Sequence, residues 1–301
     1  MTGRRFRFIL IVLLFPLIPV SAQDKVFTDA LGFITKMESP PKRIISLAPN
    51  ITEILFALDL GDNVVGVTRF CDYPPEATSK EKIGGLVDPN LEKIISLNPD
   101  LIIGFRGNPI RLINRMQEFS LPIFVLETGN TINSVFTVIE TVAQITWVEE
   151  RADKLLKPLR LQYKNILSAL DRVNIFPKVF VFLHGVGLWT CGKNSFMDDL
   201  LNKAKGKNIA GNINKKWLNF SQEQLIAENP EFILILSKSH EDFLKSKQAI
   251  SKGVYLKTLQ AVIRDKVYFL DENLATRPGP RIIEALNNLA RIFHPDAFSI
   301  K

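Results

Sequence analysis

The chain has 301 residues, of which 46% are hydrophobic and 23% are charged, and this balance excludes a disordered or low-complexity protein. Its formal net charge is +7, but three of the basic residues stand together within residues 4–7, and no polybasic run follows them. Nucleic acid is therefore a poor candidate partner.

The first 22 residues have the features of a secretory signal peptide. The arginines of residues 4–7 precede an apolar run from Phe8 to Val20, and the chain then reads Val20-Ser21-Ala22. A basic start, a short apolar stretch and small residues before the cleavage point are typical of such peptides. We expect cleavage after Ala22 and a mature protein in the periplasm.

The predicted elements alternate between strands and helices. Residues 26–35 read as a small hairpin, and the strands that follow are apolar almost throughout, which is typical of parallel strands covered by helices on both faces. These strands are Arg43–Leu47, Pro122–Leu126, Val179–Leu183 and Lys266–Leu270. The alternation predicts an α/β fold with parallel sheets.

An internal repeat divides the chain into two related halves. Residues 90–103 reappear 131 residues later as residues 221–234. Each copy reads as a helix N-cap (Asn90 or Ser221), a short amphipathic helix, an Asn-Pro-acid turn and an apolar strand. The repeat predicts two α/β lobes of the same construction.

One long helix is predicted between the lobes. Residues 148–173 are charged and contain no glycine, and their apolar residues recur at helical spacing. Pro158 is expected to kink this helix, and a single stiff connector implies limited hinge motion. The predicted organisation is a signal peptide at 1–22, an N-terminal lobe at 23–147, a connecting helix at 148–173 and a C-terminal lobe at 174–301. The fold class is two Rossmann-like α/β lobes joined by one long helix.

Several stretches carry a resemblance to a known family. The chain resembles the substrate-binding proteins of ABC importers for cobalamin, haem and iron-siderophores, and in particular the cobalamin-binding branch. The matching stretches are Thr28–Gly32, Arg43–Leu55, Gly61-Asp62, Cys71–Ala77, Asn90–Ile94 and Arg277–Ile282. The resemblance implies a binding protein rather than an enzyme, of the helical-backbone periplasmic type. It would capture cobalamin or a related corrinoid as transported ligand, act without a cofactor, and deliver the ligand as a monomer to an inner-membrane ABC permease and its ATPase.

Aromatic residues are frequent in the loops that should follow the carboxyl ends of the strands, where ligands bind in this kind of fold. The loops expected in the first lobe are 48–52, 69–75 and 105–108, and those expected in the second are 184–193, 216–220 and 273–277. Flat rings suit a large planar ring system, and the rings in these loops are Phe70, Tyr73, Phe105, Trp189 and Trp217.

The resemblance assigns roles to some of these positions. It implies that Phe70 and Trp217 sandwich the corrinoid and that Phe105 and Trp189 line the site. A lining position that carries Trp in that branch is Leu86 here. Arg277 and Asn273 match positions that contact polar side groups of the ligand, although a solvated surface arginine is an alternative for Arg277.

His184 directly follows a predicted strand and should face the region between the lobes. Imidazole suits cobalt and haem iron, so His184 could be an axial ligand. The alternative, which we favour, is a hydrogen-bonded histidine that lines a loop. No other metal site is predicted.

Two glutamates occupy the same place in the two repeats. Glu92 and Glu223 each lie in the first turn of a predicted helix, where a carboxylate favours the positive helix end. In the family that the chain resembles, glutamates at these positions dock onto arginines of the transporter. The resemblance therefore implies that Glu92 and Glu223 bind the permease.

The sequence also offers alternatives to this class of binding protein. Residues 187–194 nearly match a phosphate-binding loop, but Asn194 stands where a Ser or Thr should hold magnesium, so this interpretation is rejected. Cys71 and Cys191 are expected to be unpaired thiols. A secreted hydrolase using one of them with His184 remains an alternative, as does the same fold binding haem or an iron-siderophore.

Overall fold

The N-terminal lobe is an α/β unit built on a parallel sheet. The computed structural model describes residues 24–299, so the predicted signal peptide lies outside the described residues. A hairpin of β1 (Lys25–Thr28) and β2 (Ile34–Met37) precedes the sheet, as predicted. The sheet has the order β5-β4-β3-β6-β7, with all neighbours parallel. Its strands are β3 (Ile44–Ser46), β4 (Val64–Val67), β5 (Glu81–Lys82), β6 (Leu101–Phe105) and β7 (Ile123–Leu126).

Four helices accompany this sheet: α1 (Pro49–Ala57), α2 (Leu91–Ser96), α3 (Ile110–Glu118) and α4 (Ile132–Thr146). Proline at the first position of α1 suits its start, because that position needs no N–H donor. Residues 48–52 were predicted as a loop, and this was wrong, because the chain enters α1 almost directly from β3.

The C-terminal lobe repeats this construction around a second parallel sheet. Its order is β10-β8-β12-β13, formed by β8 (Lys178–Leu183), β10 (Lys207–Asn208), β12 (Phe232–Ser237) and β13 (Val267–Asp271). The helices are α6 (Phe196–Lys203), α7 (Gln222–Glu228), α8 (His240–Lys252), α9 (Gln260–Ile263), α10 (Glu272–Thr276) and α11 (Ile282–Phe293). A separate antiparallel ribbon pairs β9 (Trp189–Cys191) with β11 (Trp217–Asn219).

The repeat in the sequence corresponds to a repeat in the structure. The Asn90 side chain accepts a hydrogen bond from Lys93 N at the start of α2, and Ser221 accepts one from Gln224 N at the start of α7. After each helix an asparagine adopts φ of 45°, Asn98 in one copy and Asn229 in the other. Each copy then supplies the strand beside the first strand of its sheet, β6 next to β3 and β12 next to β8.

Helix α5 (Glu149–Leu170) joins the two lobes and fills most of the segment predicted as the connector, with Pro158 inside it. The hydrophobic core is continuous from one lobe to the other along this helix. Leu156 and Leu170 of α5 share one cluster with Ile139 of the first lobe and Leu286 of the second. The α/β fold of two parallel-sheet lobes and one long helix is confirmed, while the residue limits of the lobes stay predictions. None of the helices within residues 24–299 combines the length and apolar character needed to span a bilayer.

Candidate ligand-binding cleft

A cavity of about 310 Å³ lies between the lobes. It brings together four of the predicted ligand-binding residues, Phe70 and Phe105 from the first lobe and Asn273 and Arg277 from the second. The remaining lining residues are Ala48, Pro49, Asn50, Leu86, Thr128, Lys238, Glu272, Thr276 and Pro278. Residues at the ends of β3, β6 and β12 thus meet across the cleft, as expected for sheets whose strands all end at the same edge.

Hydrogen bonds fix the first-lobe wall of this cavity. The buried Asn108 side chain accepts a bond from Phe105 N at 2.9 Å and donates one to Leu86 O at 3.0 Å, so it ties two lining residues together. Phe70 is exposed, and the guanidinium of Arg69 lies 5.0 Å from the centre of its ring. The Phe70 ring is therefore free to meet a ligand on its other face.

The turn that carries Phe70 is held by a small hydroxyl–thiol cluster. Thr52 Oγ1 donates to Ser46 Oγ at 2.9 Å and lies 3.1 Å from Cys71 Sγ, and Thr68 Oγ1 also lies 3.1 Å from that sulfur. All four side chains are buried. The cluster joins the end of β3, the start of α1 and the end of β4, and thereby positions residues 69–73 at the cleft.

Two ion pairs cross from one lobe to the other. Arg277 forms a bidentate pair with Asp72, and only 13% of the Arg277 side chain is exposed. The Arg277 side chain is therefore mostly enclosed and ion-paired, which disfavours the alternative of a solvated surface arginine. Desolvation alone would raise the pKa of Asp72, but the hydrogen bond and charge of Arg277 outweigh it and hold that pKa below its usual value.

The second ion pair joins Glu53 of α1 to Arg281. Arg281 Nε donates to Glu53 Oε2 at 3.0 Å and Nη2 donates to Oε1 at 2.6 Å. The Arg281 guanidinium also lies 3.5 Å from the centre of the Tyr73 ring. Burial raises the pKa of Glu53 despite this partner, while the bond to Glu53 raises the pKa of Arg281 against the effect of burial.

Tyr73 lies outside the cavity that contains Phe70. It lines a neighbouring cavity of about 380 Å³ together with Glu53, Phe56, Ala57, Pro74, Glu76, Pro280 and Arg281. The sequence showed the aromatic residue but not the arginine that covers one of its faces. Glu53, Asp72 and Arg281 were not predicted as site residues, although all three stand in the stretches that carry the family resemblance.

Trp189 and Trp217 lie on the β9–β11 ribbon rather than in loops, so the loop prediction was wrong for both. Trp217 is opposite Cys191 and Trp189 is opposite Asn219, which places both indoles on the same face of the ribbon. Both rings are partly exposed, and neither lines the cavity with Phe70. Asn273 was also expected in a loop but lies in the short helix α10.

His184 makes contacts within its own lobe. Its Nδ1 is 2.7 Å from Ser246 Oγ, and its Nε2 is 3.8 Å from Asp242 Oδ1. Both ring nitrogens thus face protein groups, which agrees with the favoured alternative of a hydrogen-bonded histidine. Within residues 24–299, no cluster of three or more His, Cys, Asp or Glu side chains could hold a metal ion.

The two cysteines are free and buried, which confirms the prediction of unpaired thiols. Burial, the largest cause, raises the pKa of Cys191 to about 12, so this thiol is a poor nucleophile. Cys71 contacts threonine hydroxyls, and His184 contacts Ser246 and Asp242. The structure therefore lends no support to a cysteine hydrolase built on His184.

Glu92 and Glu223 are exposed in the first turns of α2 and α7. Glu223 accepts a hydrogen bond from Ser221 Oγ at 3.0 Å. Backbone hydrogen bonding, followed by this contact, lowers the pKa of Glu223. The structure places the two glutamates at equivalent positions of the two lobes, and their role in docking stays a prediction.

The fold and the interlobe cavity are those of a bilobal binding protein, and the comparisons with known proteins agree. Residues 44–274 match the family described as periplasmic binding protein. The chain belongs to this family and is a substrate-binding protein of an ABC transporter.

Individual relatives cover most of this chain. It is 32% identical over 276 residues to the uncharacterized ABC transporter substrate-binding lipoprotein YvrC of Bacillus subtilis, spanning 90% of this chain and 85% of the relative. It is 30% identical over 261 residues to the vitamin B12-binding protein of Photorhabdus laumondii, spanning 86% of this chain and 90% of the relative.

Two solved structures resemble the fold closely. The periplasmic heme-binding protein RhuT from Roseiflexus sp. RS-1, in its apo form, has a TM-score of 0.77 and 28% identity, with 85% of this chain and 99% of that chain covered. The periplasmic vitamin B12 binding protein BtuF of Vibrio cholerae has a TM-score of 0.74 and 27% identity, with 86% and 99% covered. The similar structures thus include one protein named for binding heme and one named for binding vitamin B12.

Proposed function

We propose that this protein captures cobalamin or a related corrinoid in the cavity between its lobes and delivers it to a membrane permease. The observation that carries the proposal is the chemistry of the cavity wall. Phe70 and Phe105 offer flat apolar surfaces, and Asn273 and Arg277 offer polar groups beside them. The vitamin B12-binding relatives support the same ligand.

The cavity suits a corrinoid better than haem. Haem iron in proteins is held by His, Cys, Met or Tyr, and none of the residues that line the cavity is one of these. Cobalamin brings its cobalt already ligated. The charges on the wall also balance, because Arg277 is paired with Asp72 and Lys238 shares the cavity with Glu272. A balanced wall favours neutral amide groups over the carboxylates of haem or of many siderophores.

The cavity volume implies that part of the ligand lies outside it. About 310 Å³ is near the lower end of the range for small-molecule sites. A corrinoid would extend from Phe70 towards the β9–β11 ribbon, where Trp189 and Trp217 present exposed indoles. In this proposal Trp217 covers the ring face opposite Phe70.

A ligand titration followed by visible absorbance tests the proposed ligand. We expect cyanocobalamin to bind with a shift in its absorption bands, and haem to give no stable Soret complex. A Soret complex formed without cyanocobalamin binding would identify a haem protein instead. Binding of a ferric siderophore, with binding of neither cyanocobalamin nor haem, would identify a siderophore-binding protein.

We further propose that the protein works in the periplasm and docks through Glu92 and Glu223. Relatives named as periplasmic proteins or lipoproteins support this location. The Glu92→Ala/Glu223→Ala variant should fold and bind ligand normally but fail to support uptake, because rim charges act mainly on association with the partner. Normal uptake at ordinary expression would assign both residues to helix-end stabilisation only.

A further inference from the structure

The two repeated helices present nearly the same surface. From residue 90 to residue 99, and from 221 to 230, buried and exposed positions follow one another in almost the same order. The buried residue of each helix is Ile94 in α2 and Leu225 in α7. Two exposed residues follow it in each helix, Ile95 and Ser96 in α2 and Ile226 and Ala227 in α7. The two helices therefore expose equivalent positions in the two lobes.

The fold explains most of the residues that are identical in the two copies. Asn98 and Asn229 adopt a left-handed conformation that asparagine tolerates well, and Pro99 and Pro230 are buried. Ile95 and Ile226 are also identical in the two copies, although these residues are partly exposed, at 40% and 37%. The buried position beside them differs between the copies, Ile94 against Leu225, while the exposed isoleucine is the same.

Each exposed isoleucine lies one turn from one of the two glutamates proposed above to dock onto the permease. Ile95 is three residues after Glu92, and Ile226 is three residues after Glu223, so the two side chains of each pair are neighbours on one helix face. The residue that follows each isoleucine is small, Ser96 or Ala227, and leaves it open to a partner. Lys93, which follows Glu92 in the sequence, forms its ion pair with Glu81.

We infer that Glu92 with Ile95, and Glu223 with Ile226, form two equivalent contact patches for a twofold-symmetric permease. Each half of that partner presents a cationic side chain beside an apolar recess that receives the isoleucine. The inference rests on the proposed function and adds to it the apolar half of the contact. The matched glutamates argue for this occupant, because two equal negative charges on equivalent helices complement two equal positive sites.

The two parts of each patch act on different steps. The glutamates steer the encounter, and their effect weakens as salt screens it. The isoleucines lose water only in the docked complex, so they act on its lifetime and are insensitive to salt. Replacing one isoleucine by serine should weaken docking about fivefold, and replacing both should weaken it about 25-fold if the patches are independent.

The experiment measures uptake of radiolabelled cyanocobalamin by the source bacterium with the chromosomal gene replaced by variants. The test variant is Ile95→Ser/Ile226→Ser, and a second, milder variant is Ile95→Thr/Ile226→Thr. The matched control is Ile34→Ser/Ile263→Ser, which changes one more strongly exposed isoleucine in each lobe outside the repeat. Purified proteins are compared for thermal midpoint and cyanocobalamin affinity.

We expect the test pair to keep its thermal midpoint and its affinity for cyanocobalamin. Uptake should be lost when this variant is expressed at a low level and restored when it is expressed at a higher level. The loss should persist as ionic strength changes, and the control pair should match the wild type. Uptake at the wild-type level by the test pair, with loss in Glu92→Ala/Glu223→Ala, would overturn the inference and leave the proposed function intact. Equal losses in test and control would also overturn it. If the wild-type chain neither binds cyanocobalamin nor supports its uptake, the proposed function fails and the inference fails with it.

Discussion

Phe70 carries the ligand hypothesis at the scale of single residues, because it is the exposed aromatic ring of the cavity wall. The Asn108 hydrogen bonds and the Cys71 cluster hold that wall in place before any ligand arrives. A wall ordered in advance loses little conformational entropy on binding. Stacking on Phe70 should therefore contribute directly to affinity.

We predict that Phe70→Ala and Trp217→Ala each weaken cyanocobalamin binding roughly tenfold, because each removes a ring surface worth about 1 kcal/mol beyond its buried area. Isothermal titration calorimetry measures the change. Phe119→Ala, which truncates an exposed ring outside the cavity, is the control. Unchanged affinity in both test variants would contradict the proposed sandwich.

The thiols give a second prediction at this scale. Because Cys71 and Cys191 are buried and unpaired, neither should react quickly with Ellman's reagent in the native protein. Unfolding in guanidinium chloride without reductant should release two reactive thiols. Finding none in the unfolded, unreduced protein would show a disulfide instead.

At the scale of elements, the short helices α2 and α7 depend on their caps. Six and seven residues are too few for a helix to be stable alone, so the N-cap bond and the packing of Ile94 or Leu225 must hold each one. The same two caps aim Glu92 and Glu223 at the proposed partner. Helix stability and docking are therefore coupled in both lobes.

We predict that Asn90→Ala and Ser221→Ala each lower the free energy of unfolding by about 1 kcal/mol, the usual value of an N-cap bond. Urea unfolding followed by circular dichroism measures this. Ser96→Ala, within α2 but away from its cap, should leave stability unchanged or slightly higher. Equal stability of all three variants would show that tertiary packing alone defines these helices.

Prediction at this scale succeeded where local rules decide. The N-caps, the Asn-Pro turns and the apolar strands of both repeats lie where the sequence indicated. It failed for residues 189–191 and 217–219, because strand pairing between segments 26 residues apart depends on how the intervening chain folds. Strands of three residues are too short to show a hydrophobic periodicity in the sequence.

At the scale of the whole molecule, the shared core and the two interlobe ion pairs join the lobes in one arrangement. Glu53–Arg281 is the buried pair, and Asp72–Arg277 lies beside the cavity. Ile132 N also donates to Asp199 Oδ2 across the lobes at 2.9 Å. Relative movement of the lobes would have to break these contacts.

We predict that Glu53→Ala lowers the free energy of unfolding by about 3 kcal/mol, because it leaves the partly buried Arg281 without its partner. Glu53→Gln keeps the size of the side chain and one acceptor oxygen, but it loses the charge and turns the other oxygen into an N–H donor that faces Arg281. It should therefore cost less than Glu53→Ala but still lower the free energy of unfolding. Adding Arg281→Met to Glu53→Ala should recover much of the loss. A full additive loss in the double variant would contradict the coupling.

The pH dependence follows from the raised pKa of Glu53. A carboxyl whose folded pKa lies above the usual 4.5 stabilises the fold most when it is protonated. The stability of the wild type relative to Glu53→Gln should therefore increase as the pH falls from 7 towards 4.5. Asp72 acts in the opposite sense, since its lowered pKa means that its contribution is present above 3.8 and lost as the pH falls through its folded pKa.

Local sequence patterns were enough to predict the α/β fold, the two related lobes, the joining helix and the family, because strands, helix caps and turns are local features and here occur twice. It also indicated Phe70, Phe105, Asn273 and Arg277 as neighbours. The contacts of these residues depend on how the chain packs over long distances in sequence. Asp72 meets Arg277 across 205 positions of sequence and Glu53 meets Arg281 across 228. Such pairs, and the separation of Tyr73 and His184 from the main cavity, follow from how two lobes pack, which no local pattern encodes.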